Sequence, residues 1–463
     1  MILHAVIWTV IGASVEARAF QSVLELLGYE TRVARRVGPG LLVIPSGAVL
    51  SPKESAKVRA FIENGGDAVI PASLFWGTPS DTPIIVKDVT ELAHPERYLR
   101  WNPTATIGRF TLPPGAQVLM QDQPTHQPLA FFGTLGKGRY LALAAEFDTT
   151  SDLGTSRYPY FAEYLKRAVG YRSNATRQHI EAYFDPGFRP NTDFDALTQQ
   201  WHEEGISAIY AAAWYDLDYA RLIERCHARN IAVYAWLGLP MVTRAFWDEQ
   251  PEWRAKKTSW RYPLNFEISQ ARRAAFDWTR RLLDQYHWDG VNIAEMNYEG
   301  SGGSAENVTA WHRELLETLR HGNIEIIITT FDSIATPALR TTHGVDTPAI
   351  AALAKHFPFT LQLEDSYELW PTRPDRYRRF AANYRRSFMF DLNVVADRDV
   401  ENTNLPSALA TGTEFLQLLR HAAVNGRVAV YSESTVAPYD WEFAAAAVAA
   451  GTRQHHHLIT SPR

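Results

Sequence analysis

Short apolar runs alternate with stretches of helical spacing along most of the chain. Residues 3–10 form the first apolar run and predict a strand. In residues 14–28, Val15, Ala19, Val23, Leu24 and Leu27 recur at helical spacing, and Gly28 follows as a stop. Thr31 to Ala34 is a short strand candidate, and Leu41 to Pro45 predicts a buried strand. Ser51, with Glu54 three residues on, opens a helix that ends at Asn64-Gly65-Gly66, and Asp67 to Pro71 predicts the next strand. Strands alternating with helices predict a parallel sheet covered on both faces. From 82 to 148 the strands shorten and turns multiply. Gly136-Lys137-Gly138 predicts a hairpin turn, because the Gly-Lys-Ser/Thr ending of a phosphate loop is missing.

After a polar linker at 171–178, a more regular alternation begins. Strands are predicted at Ile180–Phe184, Ala208–Ala213, Ala232–Leu237, Val291–Glu295, Glu325–Thr330, Thr360–Glu364, Phe388–Leu392 and Val428–Tyr431. Helices are predicted at 193–204, 217–229, 266–287, 306–321, 347–356, 374–386, 413–425 and 440–450. Eight of each predict a (β/α)8 TIM barrel over 179–463, preceded by a smaller α/β domain over 1–170. An open doubly wound sheet is the competing arrangement, and the absence of a Gly-rich nucleotide turn argues against it.

Composition narrows the partners. The 463 residues are 46% hydrophobic and 21% charged, which excludes a disordered or fibrous chain. A net charge of −5 argues against a phosphate-gripping nucleic-acid binder. Cys226 is the only cysteine, so neither an intrachain disulfide nor a thiolate-rich metal site is expected. No run of about 18 apolar residues is present to span a membrane. The apolar start lacks the basic residues of a signal peptide and is read as a strand. The compartment stays open: periplasmic or secreted if a leader precedes this start, cytoplasmic otherwise.

TIM barrels build their sites at the C-terminal ends of the strands. Here those ends carry Asp185, Trp214, Trp236, Asn292, Glu295, Asn297, Tyr298, Asp332, Glu364, Asp365, Asp391, Asn393 and Glu433. Carboxylates, amides and aromatics therefore converge on one mouth, with no histidine pair at metal-ligand spacing, and neither metal nor cofactor is expected. Sugar rings offer apolar faces to tryptophan and hydroxyls to carboxylates and amides, so a carbohydrate ligand is expected. Trp214 and Trp236 are assigned to binding, while Trp278, Trp288 and Trp311, on helices, are assigned to the core. The long segment Met241 to Pro263, bearing Trp247, Trp253 and Trp260, is expected to wall an extended ligand. Glycoside hydrolysis needs two carboxyls across the scissile bond, and Glu295 and Glu364 are the first choice. Alternation groups Val291, Ile293 and Glu295 on one side of their strand and Asn292 and Ala294 on the other. Asp391 and Glu433 are reserves for that pair, and they and the remaining mouth residues are expected to bind substrate.

Two resemblances bear on this. The pieces Ile44-Pro45-Ser46-Gly47, Glu63-Asn64-Gly65-Gly66 and Gly138-Arg139-Tyr140 leading into Ala144-Ala145-Glu146 resemble the class I glutamine amidotransferase-like domain. The resemblance implies a doubly wound, flavodoxin-like fold. The amidotransferase reaction needs a cysteine nucleophile on a strand-to-helix turn, and after the strand at 67–71 the chain has Ala72-Ser73-Leu74. A structural or interaction role is expected instead. The segments Ala232-Val233-Tyr234-Ala235-Trp236, Pro251-Glu252-Trp253 and Asp289 to Glu295 resemble bacterial glycoside hydrolase-like barrels, similar to exopolysaccharide α-galactosaminidases and α-galactosidases. That resemblance implies one acid on strand four and one on strand six, which by position are Glu295 and Glu364. Such relatives usually carry aspartate on strand four, where this chain has glutamate. An amidotransferase-like domain joined to a hydrolase barrel also occurs in β-galactosidases, where it mediates oligomerisation, which implies a homo-oligomer through residues 1–170. The competing function is a carbohydrate-binding pseudoenzyme of an exopolysaccharide system.

Overall fold

The computed structural model describes residues 3–7, 15–78, 82–95, 98–147, 157–172, 179–188, 193–255, 262–294, 296–297, 304–320, 322, 324–366, 388–393, 412–423, 426–434, 436 and 438–460. Two compact units emerge, one of residues 1–176 with 411–417 and one of 177–410 with 418–463.

The first unit is built on one nine-stranded sheet. Its strands are β1 (Leu3–Ile7), β2 (Tyr29–Val33), β3 (Leu41–Val43), β4 (Asp67–Pro71), β5 (Ile84–Glu91), β6 (Tyr98–Ile107), β7 (Gln117–Asp122), β8 (Pro128–Leu135) and β9 (Gly138–Leu143). Their order is β2-β1-β3-β4-β9-β8-β7-β5-β6. The run from β2 to β9 is parallel, as the alternation predicts. The rest is antiparallel and extends the same sheet, which the expectation of a parallel sheet does not cover. The reason is connection length: β8 and β9 are joined by a two-residue turn, too short for a parallel crossover. At that turn Gly136 has φ +62, and a Cβ there would lie 2.6 Å from the Glu63 carbonyl oxygen, so glycine is required.

Between β5 and the helix Phe161–Val169 lies a buried titratable cluster. Glu91 is fully buried, accepts from the Tyr164 hydroxyl, and accepts the Ala93 N–H at 3.1 Å. Beside it the Glu163 carboxylate lies 2.6 Å from His94 Nε2 and accepts from Arg167. Burial pushes the Glu91 carboxyl up to about 7, against the hydrogen bonds from Tyr164 and Ala93; the Glu163 charge adds to the rise and Arg167 opposes it.

The second unit is a closed barrel of eight parallel strands. These are β10 (His179–Phe184), β11 (Ile206–Ala212), β12 (Ala232–Leu237), β13 (Gly290–Ile293), β14 (Glu325–Thr330), β15 (Thr360–Ser366), β16 (Phe388–Asn393) and β17 (Arg427–Tyr431), with β17 paired back to β10. The strands match the predicted spans to within two residues at each end, and β13 stops at Ile293. The helix predicted at 374–386 lies outside the described residues.

Alternation sends every second strand residue into the barrel. Tyr183, Ala208, Tyr210, Ala212, Tyr234, Trp236, Ala294, Ile327, Met389 and Ala429 form the interior cluster. At the N-terminal end the interior holds ions. Arg427 donates to Glu181 at 2.6 and 3.2 Å and to Glu325 at 2.6 Å. Tyr210 donates to Glu181, and Tyr234 donates to Glu325 at 2.7 Å. One guanidinium thus joins strands β10, β14 and β17 and closes the barrel bottom.

Two outcomes test this architecture. Arg427→Met leaves the buried Glu181 and the half-buried Glu325 without their shared counter-charge, and equilibrium unfolding should show a loss of about 1–3 kcal/mol. For Glu91 the folded carboxyl titrates above the unfolded one, so the folded state holds its proton longer. Stability should therefore fall as pH rises from about 4.5 to about 7. In Glu91→Gln that fall should shrink, so that thermal scans of the variant and parent agree at pH 4 and separate in the variant's favour at pH 8.

Candidate functional site

Above the ionic bottom the barrel interior becomes neutral. Gln362 on β15 accepts at Oε1 from Tyr183 Oη at 2.7 Å, from Asn292 Nδ2 at 2.8 Å, and from the Thr329 hydroxyl. Asn292 Nδ2 also reaches Thr329 Oγ1 at 2.9 Å. These side chains come from β10, β13, β14 and β15 and form a floor across the lumen. All are buried, Asn292 and Gln362 completely. Burial raises the Tyr183 phenol far above its ordinary range, and the charges of Asp391 and then Glu364 add to the rise. Both carboxylates are therefore within electrostatic reach of the floor's central hydroxyl.

Glu364 and Asp391 are register partners on neighbouring parallel strands. Each lies two residues beyond an interior residue, Gln362 on β15 and Met389 on β16. The alternation that points Gln362 and Met389 inward thus brings the two carboxylates side by side above the floor. Asp391 is 4% exposed and Glu364 half-buried.

Aromatic rings line the other side. The Trp236 ring stands 4.9 Å from Tyr183, 4.6 Å from Trp214 and 5.7 Å from Tyr431, each edge to face. Trp214 remains half-buried, Trp236 is buried, and Trp288 and Trp311 lie in the core. In the long segment after β12, Trp247 donates to the Pro263 carbonyl at 3.0 Å and carries the Arg254 guanidinium 3.9 Å above its ring. Trp247 thus holds this segment's own fold together; Trp260 lies outside the described residues.

The remaining expected residues divide by what they touch. Asp185 accepts the Gly187 N–H at 2.8 Å and bonds Tyr215; burial raises its carboxyl against both bonds. Asp332 accepts the N–H groups of Ile334 and Ala335, both at 2.9 Å, and so caps its own turn. Glu433 accepts the Trp201 indole N–H at 3.1 Å, which ties it to the helix Phe194–Glu203 outside the barrel. Asn297 is buried beyond β13. Asp365 and Asn393 hold backbone positions on β15 and β16, and their side chains are outside the described set. Glu295 and Tyr298 also lie outside the described residues. On β13 the inward residue is Asn292, followed by Ala294 just beyond the strand; Val291 and Ile293 alternate away from the lumen.

Tyr183, Thr329 and Gln362 were not among the expected site residues. The signal for them was present: a tyrosine, a threonine and a glutamine at inward positions of otherwise apolar strands must be there to satisfy one another. Among the described residues, no three His, Cys, Asp or Glu side chains come together as a metal centre would need. No helix among them is long and apolar enough to cross a membrane.

No family model matches the chain, and no curated protein matches it. Several solved structures overlap with about three-fifths of the chain. A GH18 chitinase from Pseudoalteromonas aurantia is 13% identical over 58% of this chain and 99% of its own, with a TM-score of 0.37. The PgaB (BpsB) glycoside hydrolase domain from Bordetella bronchiseptica is 14% identical over 61% of this chain and 98% of its own, at 0.37. A β-galactosidase from Marinomonas ef1 is 9% identical over 61% of this chain and 60% of its own, at 0.42. At these scores the overlaps carry no argument about activity, and the reading below stands on the mouth itself.

The Glu433 contact gives a direct outcome. Glu433→Ala strands a buried indole N–H and should cost about 1–3 kcal/mol in denaturant unfolding. If Glu433 instead binds ligand, the variant should lose affinity at unchanged stability.

Proposed function

We propose that the barrel is a glycoside hydrolase acting on a polysaccharide or oligosaccharide, with two carboxyls working at its C-terminal mouth. The observation that supports this is the side-by-side placement of Glu364 and Asp391, facing the lumen from the strands opposite the one that carries Trp236. A sugar ring presents an apolar face that stacks on such rings, while its hydroxyls bond carboxylates and amides. One carboxyl would protonate the leaving oxygen; the other would attack the anomeric carbon or activate a water.

Glu364 is one member of the pair. Its partner is Glu295, chosen from the sequence, or Asp391, which the register favours. Neighbouring strands lie about 4.8 Å apart, and carboxyls about 5–5.5 Å apart serve a retaining mechanism. A Glu364–Asp391 pair would then hydrolyse with retention through a covalent glycosyl intermediate. Asp185, Asn297, Tyr298, Asp332, Asp365, Asn393 and Glu433 remain assigned to substrate hydroxyls as a proposal only, and the turn and helix contacts of Asp332 and Glu433 compete with that role. Residues 1–170 supply no nucleophile to the reaction and are assigned to association between copies.

Asn292 favours a second reading. The inward side chain on strand four is an amide locked into the floor, and a mouth that binds sugar without turnover would serve a carbohydrate-binding pseudoenzyme.

The deciding experiment is release of reducing ends or aryl alcohol from a panel of bacterial exopolysaccharides and aryl glycosides. Glu364→Gln should lower turnover by several orders of magnitude at unchanged stability. If Glu364 is the acid, aryl glycosides with good leaving groups should be spared. Asp391→Asn and Glu295→Gln identify the partner, since only its loss matches that of Glu364. Near-normal rates in all of these variants overturn the carboxylate assignment. Saturable binding with no turnover of any substrate in the panel establishes the pseudoenzyme.

A further inference from the structure

Two hydrogen-bond donors in the barrel interior are left unused by the floor. Trp236 Nε1 and Gln362 Nε2 are buried and meet no acceptor. Trp236 is 6% exposed and Gln362 fully buried. A buried donor without a partner costs about 1–3 kcal/mol, and native proteins leave few such groups unanswered.

The two side chains share neighbours. Trp236 is the register partner of Asn292, and Asn292 donates to Gln362. Both also meet Tyr183: the Trp236 ring packs edge to face against its ring, and Gln362 Oε1 accepts its hydroxyl. With Asn292 oriented as it is, the Gln362 oxygen and not its NH2 group faces Tyr183, Asn292 and Thr329. Turning it would set N–H groups against the Asn292 N–H. Tryptophan has no acceptor to offer in exchange.

Charge selects what answers these donors. Asp391 and Glu364 act electrostatically on Tyr183, so the same region already carries negative charge. A ligand carboxylate or phosphate would be repelled there. A neutral oxygen accepts from both donors without that penalty, and a hydroxyl has in addition a proton for a neighbouring carboxylate.

We propose that Trp236 Nε1 and Gln362 Nε2 form the deepest subsite of the mouth and take one neutral ligand oxygen, a ring hydroxyl or an N-acyl carbonyl. This rests on the reading of the mouth as a carbohydrate site. The consequence is selectivity against ligands lacking that oxygen, because the analogue leaves both buried donors unpaired.

The test follows the indole N–H of Trp236 by 15N NMR in the full chain, assigned by its loss in Trp236→Phe, which keeps an aromatic ring. Probes are the methyl glycosides of glucose and galactose, their monodeoxy derivatives, and the methyl glycosides of N-acetylglucosamine and N-acetylgalactosamine. At least one probe should move the Trp236 signal, and Trp236→Phe should bind it about tenfold or more weakly at unchanged melting temperature. A single deoxy position that abolishes the shift identifies a hydroxyl. A shift seen only with N-acetyl glycosides identifies the carbonyl. Binding that leaves the Trp236 signal still, or that survives Trp236→Phe unchanged, overturns the subsite and leaves the glycosidase reading standing. No binding by any probe overturns the subsite, and the exopolysaccharide panel then decides the wider reading on its own.

Discussion

The carbonyl oxygen of Gln362 accepts from three strands' side chains at one point in the barrel lumen. A closed parallel barrel directs half of its strand residues inward, and polar groups among them must be satisfied without water. Gln362 meets that constraint by gathering Tyr183, Asn292 and Thr329 around one acceptor. The floor so formed separates an ionic bottom from an acidic, aromatic mouth. Each neighbour of the floor depends on it: Tyr183 is held where Trp236 packs on it, and Asn292 fixes the inward side of β13.

The interior is therefore layered by electrostatics as well as by shape. At the bottom, Arg427 offsets Glu181 and Glu325. Burial would raise the Glu325 carboxyl, but the hydrogen bonds and charge of Arg427, with the Tyr234 hydroxyl, hold it low. The middle layer has no formal charge. Above the floor, carboxylates return at the register pair of Asp391 and Glu364. A charge placed in the neutral layer would lack both water and a counter-ion, which explains why amides and hydroxyls occupy it.

The barrel was legible because its strands are apolar runs bounded by helices of regular spacing, and the period alone identifies both. The antiparallel half of the first sheet was legible only as short strands, since pairing direction is set by turn length and not by strand composition. In the site, Glu364 and Asp391 could be read from strand-end chemistry, but their adjacency needed the register of β15 on β16. Asp332 and Glu433 show the limit. A carboxylate at a strand end looks the same in sequence whether it meets a ligand, its own turn or an indole behind the strand. Parity separates inward from outward positions: Asn292 at an inward position implies that Val291 and Ile293 alternate outward.

Among the described residues, small side chains also face the interior: Ala212 on β11, Ala294 just beyond β13 and Ala429 on β17. Were these positions filled by branched or aromatic side chains, the layer above the floor would close, as ordinary TIM-barrel interiors do. Large rings enter instead from β10 and β12, through Tyr183 and Trp236, and they stand edge to face rather than stacked. That asymmetry sets aromatic surface on one side of the lumen and carboxylates on the other.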